Sequence, residues 1–268
     1  LKFNEQQIAR YSRHILLDQI GGTGQASLMD SRVLVVGAGG LGSPVVLYLA
    51  AAGVGTIGVI DDDLVELSNL QRQIVHKTNS VGTAKVLSAK KTIYEINPEV
   101  KLIPIQKRFT QENAMSIIAQ YDLVADGCDN FKTRFLVNDA CYFSQKTLVS
   151  AAILRFDGQV YTFKPHKKNS EGNQLPCYRC LFPQVPPPGE TTTCSETGVL
   201  GSVCGTIGSL QTTEIVKELL GIGESLAGFL IIYDGLSSTI RKITIKADPD
   251  CPLCGSSPRI LDLSIHVK

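Results

Sequence analysis

Two cysteine pairs with the same spacing could hold a metal. Cys177 and Cys180 flank Tyr178-Arg179, and about 70 residues on Cys251 and Cys254 flank Pro252-Leu253. Pro176 precedes the first pair and Gly255 follows the second, so each pair sits in a turn-like context. Four thiolates on two short knuckles suit tetrahedral Zn²⁺, which in a closed site staples one segment to another and does no chemistry. Disulfides or unrelated cysteines are the competing readings. The sequence shows no signal-peptide pattern, so the expected setting is a reducing cytoplasm, which disfavours disulfides.

A second pattern could hold a nucleotide. Val33-Leu34-Val35-Val36 reads as an apolar strand, Gly37-Ala38-Gly39-Gly40-Leu41-Gly42 follows at once, and an apolar helix runs to about Ala52. The next strand, Thr56 to Ile60, ends on Asp61. This is the G-x-G-x-x-G arrangement with an acid about 20 positions on. Gly37 allows the tight turn, Gly39 lets phosphate approach the backbone, and Gly42 lets helix pack on strand. The helix N-terminus offers N–H groups and a favourable dipole to phosphate, and Asp61 can accept hydrogen bonds from a ribose. A tight turn without a ligand is the bland alternative. No G-x-x-x-x-G-K-[ST] occurs, so ATP bound here would not use a P-loop.

The glycine loop alone would also fit a dinucleotide dehydrogenase. The residues after Asp61 point elsewhere. Asn69, Arg72 and Lys85 present an amide and two cations, and Asp126 and Asp129 follow the strand Asp122 to Ala125. Cations and an acid around a nucleotide suit a triphosphate with its Mg²⁺ better than a hydride carrier. Singly, each residue has an ordinary reading: a solvated surface cation, or, for Asp129-Asn130 before Phe131, a helix N-cap.

The elements that would position these residues form a doubly wound α/β fold. Parallel strands are expected from near Val33, Thr56, Val100, Asp122 and Thr147, with helices between them. Antiparallel additions are expected at Gln159 to Phe163, Phe229 to Tyr233 and Ile240 to Ile245. A helix from Gly201 to Leu220 and another from about Glu5 to Leu17 complete the reading. The chain is read as one domain spanning residues 1–268. Within it, residues 1–30 form an N-terminal helical segment and residues 31–150 a Rossmann-like nucleotide-binding region. Residues 151–268 form a partner-binding and zinc region, with a mobile loop at 165–198. The uncharged run Val33 to Ile60 is long enough to span a bilayer, but seven glycines and Pro44 within it favour a buried strand-helix-strand. A net charge of +1 gives no case for nucleic acid or an anionic membrane. His14, His76, His166 and His266 form no recognisable catalytic motif and read as surface or packing residues, and Cys128, Cys141 and Cys204 as buried small hydrophobes.

In the order Gly37 to Gly42, Asp61-x-Asp63-x-Val65, Ser68-Asn69-Leu70-Gln71-Arg72-Gln73, Asp129-Asn130 and the two cysteine pairs, the chain resembles the ThiF/MoeB/HesA family of E1-like adenylyltransferases. The resemblance runs from Arg10-Tyr11-Ser12-Arg13 to Cys254-Gly255. It implies ATP-dependent adenylylation of the C-terminal Gly-Gly carboxylate of a ubiquitin-like sulfur carrier, ThiS-like or MoaD-like, for thiamine or molybdenum cofactor biosynthesis. It implies that Gly39 and Gly40 line the ATP site, that Asp61 holds the ribose, that Asn69, Arg72 and Lys85 meet phosphates, and that Asp129 holds Mg²⁺. Arg13 matches an arginine that reaches the ATP of the other subunit, which implies a homodimer. Cys177, Cys180, Cys251 and Cys254 match structural zinc ligands. Cys194 matches a cysteine that in some relatives bonds covalently to the carrier, and a loop position near a helix N-terminus would lower its pKa. Gly127-Cys128 stands where Cys-Thr is common in relatives. No rhodanese domain follows the second zinc pair, so the sulfur donor is expected to be a separate protein. The competing functions are an NAD-dependent oxidoreductase with a structural zinc and a non-catalytic zinc-bearing partner of a carrier.

Overall fold

The computed structural model describes residues 3–187 and 197–267. One eight-stranded sheet in the order β3-β2-β1-β4-β5-β6-β7-β8 runs through them. Strands β1 (Arg32–Val36), β2 (Thr56–Ile60), β3 (Lys101–Ile105), β4 (Leu123–Asp126) and β5 (Thr147–Leu154) pair in parallel. Strands β6 (Asp157–Phe163), β7 (Phe229–Asp234) and β8 (Thr239–Thr244) continue antiparallel. The expected strands are therefore all present, within a residue or two at their ends.

Alternation along the central strands divides the core in two. Val33, Val35, Ile57, Val59, Leu123 and Ala125 enter one cluster, with side chains from α3 (Gly42–Ala52), α4 (Lys85–Ile96) and α8 (Gly201–Leu220). Leu34, Val36, Ile60 and Val124 enter the other, beneath α5 (Gln111–Ile118) and α6 (Phe131–Phe143). Both faces are dry, which is why these strands read as unbroken apolar runs. Each buried Val, Ile or Leu contributes roughly 1.5–3 kcal/mol. A one-residue slip would exchange apolar for apolar, so the faces alone fix register weakly. The polar terminators fix it: Val36 pairs with Ile60 and Asp126, so Gly37, Asp61 and Gly127 emerge together at one edge.

That edge is a topological switch point. From β1 the chain builds outward through β2 and β3, then crosses back to place β4 on the other side of β1. A crevice opens where the strand order reverses, and ligands of such sheets bind there.

Two helices precede the sheet, α1 (Glu5–Ile15) and α2 (Gly21–Asp30), and a capping box between Asn4 and Gln7 starts the first. The second was not legible as a separate helix, because it opens on Gly21-Gly22-Thr23-Gly24, a poor helix-forming run. Tyr11 fastens α1 to the body: it is buried, and its hydroxyl accepts a hydrogen bond from Asn97 Nδ2 at 2.8 Å. Within the stretch read as a mobile loop, the described residues include a short helix, α7 (Tyr178–Leu181). Among the described residues no helix is long and apolar enough to cross a membrane.

Candidate active site

A cleft of about 490 Å³ occupies the switch point. Gly37 opens it with φ +94°, and a Cβ there would meet the Gly127 carbonyl oxygen at 3.1 Å. A Cβ on Gly42 would lie 1.9 Å from the Gly37 carbonyl oxygen, so the loop closes only with glycine at that position. Gly39 and Gly40, which the resemblance puts at the ATP site, line the cleft. Asp61 lines it too, with both carboxylate oxygens tied to backbone: Ala38 N donates to Oδ2 at 2.8 Å and Asp63 N to Oδ1 at 2.9 Å. Burial pushes its pKa above the usual carboxylate value, while Lys85 and these two N–H groups oppose the shift.

The cations follow. Lys85, first residue of α4, is buried and donates to Asp63 Oδ2 at 2.7 Å. Arg72 donates from Nη1 to the Ser68 carbonyl at 3.1 Å, and both cations line the cleft. Asn69 does not line it: its Oδ1 accepts from Glu66 N at 3.2 Å and caps a 3-10 turn, which places Arg72 one turn on. Arg13 is exposed on α1 and is likewise absent from the lining of its own chain's cleft. Cys194 lies outside the described residues. Gln73, the last residue of the Ser68 to Gln73 motif, lines the cleft almost fully buried, and among the described residues its Oε1 has no hydrogen-bond partner. Lys107 and Arg108, just past β3, also line the cleft and carry no motif that marks them in sequence.

The far side is built from the turn between β4 and α6. Asp129 is exposed there and lines the cleft. Asn130, not Asp129, caps α6: its Oδ1 accepts from Thr133 N at 2.9 Å. Asp129 is thereby left available to a ligand. Asp126 lies beneath the turn, fully buried, and accepts from Ser150 Oγ at 2.7 Å and Cys128 N at 3.0 Å. The Cys128 thiol donates to Asp126 Oδ1 at 2.7 Å, and burial together with that carboxylate raises its pKa well above the ordinary value, so Cys128 is an inert donor. Beyond Asp129 the cleft continues between the end of β5 and the rings of Tyr161, Tyr178 and Phe182. Burial pushes Tyr178 up to about 12 and Tyr161 up as well, so both remain neutral phenols.

His76 does more than pack. It is buried, with Nε2 2.9 Å from the Ala38 carbonyl oxygen and Nδ1 3.0 Å from Ser88 Oγ. A carbonyl only accepts, so the proton sits on Nε2 and the Ser88 hydroxyl donates to Nδ1. Ala38 is therefore gripped at its N–H by Asp61 and at its C=O by His76. Burial, reinforced by the Lys85 charge, lowers the His76 pKa.

Away from the cleft, the four cysteine sulfurs converge. Neighbouring Sγ atoms stand 3.9 Å (Cys177 to Cys180), 3.6 Å (Cys177 to Cys251), 3.4 Å (Cys180 to Cys254) and 3.4 Å (Cys177 to Cys254) apart. A tetrahedral zinc thiolate with bonds near 2.3 Å needs sulfurs about 3.8 Å apart, so these residues fit Zn²⁺. Tyr142 and Phe143, at the end of α6, pack against the cluster. Arg179, between the first two cysteines, forks onto the buried Asp139 of α6 at 2.8 Å and 2.7 Å, and His266 Nε2 reaches the same carboxylate at 2.8 Å.

A doubly wound sheet with a glycine loop, a ribose-type acid, two cations and an exposed acid at its switch point defines a nucleotide-binding protein of the E1-like class. Residues 11–253 match the ThiF family, and the chain belongs to it. It is 48% identical over 258 residues to the sulfur carrier protein adenylyltransferase of Thermus thermophilus, covering 96% of this chain and 94% of that protein. It is 48% identical over 255 residues to the SAMP-activating enzyme E1 of Haloferax volcanii, covering 95% and 92%. With the adenylyltransferase and sulfurtransferase MOCS3 of Dictyostelium discoideum it shares 47% over 265 residues, 98% of this chain but 60% of that longer protein. Among solved structures, E. coli MccB with MccA-N7isoASN superposes with a TM-score of 0.78 at 21% identity, covering 92% of this chain and 75% of that one, which shows a shared fold.

Two outcomes follow from this geometry. Zinc is expected at one ion per chain, and Cys177→Ser should lower stability by several kcal/mol, on the order of the binding energy that a closed thiolate site returns to folding. Metal analysis of protein purified without chelator, with denaturant unfolding of the variant, checks both. The second outcome concerns pH. The unfolded His76 imidazole protonates near 6.5 while the folded one resists, so unfolding takes up a proton below that pH. Stability is full above 6.5 and falls as pH drops toward the folded pKa. Since His166 is also shifted down, the test compares wild type with His76→Gln: the slope of unfolding free energy with pH should decrease by up to ~1.4 kcal/mol per unit. An unchanged slope would show that His76 is not held neutral.

Proposed function

We propose that this protein uses ATP to adenylylate the C-terminal Gly-Gly carboxylate of a ubiquitin-like sulfur carrier, ThiS-like or MoaD-like. One observation carries the reading: Gly39, Gly40, Asp61, Arg72, Lys85 and Asp129 line a single cleft. The names of the Thermus, Haloferax and Dictyostelium relatives support the same activity. A hydride-transfer enzyme would need the glycine loop and Asp61, but not a buried and a half-buried cation lining the same cleft as an exposed acid.

The carrier carboxylate attacks the α-phosphorus of ATP, a C(=O)O–P bond forms, the bond to the β-phosphate oxygen breaks, and pyrophosphate leaves. The carboxylate is ionised at neutral pH, so no general base is required. Both reactants are anionic and charge builds on the leaving group. Arg72 and Lys85 would offset it from the glycine-loop side, and Gly39 and Gly40 would let the phosphates approach the backbone. Asp61 would orient the ribose, and Asn69 would act by shaping the turn that carries Arg72. Mg²⁺ held at Asp129 would neutralise phosphate charge. The second half of the cleft, beyond Asp129, would take the glycine tail in extended form. A separate donor would then supply sulfur for thiamine or molybdenum cofactor synthesis, and Cys194 is kept as a candidate for a covalent step after adenylation.

The activity is checked by carrier-dependent exchange of pyrophosphate into ATP, with ThiS-like and MoaD-like carriers presented in turn. Asp129→Ala should abolish exchange, and Arg72→Ala should cut it by ~10² or more, comparable to removing a major transition-state charge contact. Wild-type exchange by Asp129→Ala would overturn the mechanism.

The remaining cation would come across a dimer interface. Arg13 is exposed on a helix outside the βαβ unit and away from its own cleft. In a homodimer it would meet the triphosphate held by the other subunit, as the pyrophosphate departs. Mixing the inactive Arg13→Ala and Asp129→Ala proteins should restore activity, because one site in each mixed dimer keeps both residues. No recovery after demonstrated subunit exchange would refute action in trans.

A further inference from the structure

Arg134 is a buried arginine that lines the cleft just where its two halves meet. Its guanidinium is divided between two partners. Nε stands 3.5 Å from Asp126 Oδ2, and Nη2 donates to the Cys128 carbonyl at 2.9 Å. The Cys128 peptide is held from the other end too, since its N–H donates to Asp126 Oδ1 at 3.0 Å. The residue immediately before Asp129 is therefore fixed at both its N–H and its C=O. Gly127 N donates to Val36 O at 2.9 Å and Asn130 caps α6, so the turn is clamped on both sides of Asp129, which is exposed and lines the cleft.

On its other side Arg134 meets the ring of Tyr178, with the guanidinium carbon 6.0 Å from the ring centroid. Tyr178 lies between Cys177 and Cys180, and its backbone N–H donates to Asn138 Oδ1 of α6 at 2.9 Å. The cysteine knuckle thus sets the wall against which Arg134 rests.

We propose that Arg134 is a positioning residue that aims Asp129 at the metal, and that the first cysteine knuckle, through Tyr178, holds Arg134 in place. This rests on the adenylyltransferase reading only in taking Asp129 as the magnesium ligand. The planar fork explains the choice of residue: one branch balances the Asp126 carboxylate while another grips the turn carbonyl, and a lysine ammonium cannot reach both along the same geometry. A merely space-filling arginine would have no reason to favour metal-dependent binding over metal-independent binding.

The test separates those two. ATP affinity is measured by calorimetry on the intact protein with Mg²⁺ and with chelator. In Arg134→Lys, which keeps a charge for Asp126, the tightening of ATP binding by Mg²⁺ should fall ~10-fold or more, as for a small misplacement of a positioned group. Affinity in chelator should stay within about twofold of wild type, as expected if the glycine loop and Asp61 still bind the nucleotide unaided. Tyr178→Leu, which spares every group on the Asp129 turn, should shift the Mg²⁺ response in the same direction by a smaller factor. An Arg134→Lys protein with a wild-type Mg²⁺ response, or one that loses affinity equally with and without Mg²⁺, overturns the proposal. If that variant fails to fold, an unchanged Mg²⁺ response in Tyr178→Leu overturns it instead. A wild-type protein that binds Mg-ATP but exchanges no pyrophosphate with any carrier would defeat the functional reading while leaving this comparison intact.

Discussion

The carboxylate of Asp126 sits at the end of β4 with no exposed surface, and the architecture of the cleft follows from the need to satisfy it. A buried charge without partners costs several kcal/mol even after relaxation. Its donors come from separate elements: Ser150 from β5, Arg134 from α6, and Cys128 from the intervening turn. Gln211 of α8 adds a bond from Nε2 to the Asp126 carbonyl at 2.9 Å and another to Val149 O at 3.0 Å. Satisfying this one residue brings the ends of β4 and β5 and the helices α6 and α8 to a common point. That point is the edge at which Gly37 and Asp61 also emerge. At position 128 the side chain serves as one more donor to the Asp126 carboxylate, a part the cysteine thiol fills.

Helix α6 transmits that arrangement to the rest of the chain. Its first turn fixes the Asp129 loop, Asn138 and Asp139 in its middle hold Tyr178 and Arg179, and Tyr142 and Phe143 at its end pack on the cysteine cluster. The zinc staple expected from sequence is consequently not remote from the cleft in its effects. Its first knuckle carries Tyr178, which is a cleft wall. Four thiols converge within 4.8 Å, and the Arg179–Asp139 pair, the Tyr178–Asn138 bond and the packing of the Tyr178 ring on Phe135 and Phe163 tie α7 to the body beside them.

Much of this was legible in the residues. Strands buried on both faces announce themselves as apolar runs, and glycine at two forbidden approaches leaves a spaced signature, so β1, the loop and Asp61 could be read directly. The cysteine spacing carried its own geometry. What was not legible depends on long-range packing. His76 looked like an ordinary histidine because its partners, Ala38 and Ser88, lie 38 and 12 residues away. Lys107 and Arg108 follow an unremarkable strand. The capping bond of Asn69 was not legible either: an amide in a tight turn competes for backbone N–H groups, and here its Oδ1 accepts from Glu66 N. Arg134 carried no signal at all, because a helix arginine four residues past a cap normally faces water.

The cleft contains two kinds of ion pair, and their burial separates their roles. Arg134 and Asp126 have side chains 8% and 0% exposed, so neither can be released without stranding a charge in a dry interior. That pair can only hold shape. Lys85 is equally buried at 8%, but its partner Asp63 is 65% exposed. Water can take over Asp63 at little cost, since exposed pairs are worth about 0–1 kcal/mol. Lys85 is thus held and pre-aimed by a partner that gives way easily, which is the condition for handing its charge to an incoming phosphate without a reorganisation penalty. The same cleft therefore has a fixed pair beneath the Asp129 turn and a yielding pair that holds the Lys85 ammonium. Both are anchored close to the strand ends that the sheet register brings together.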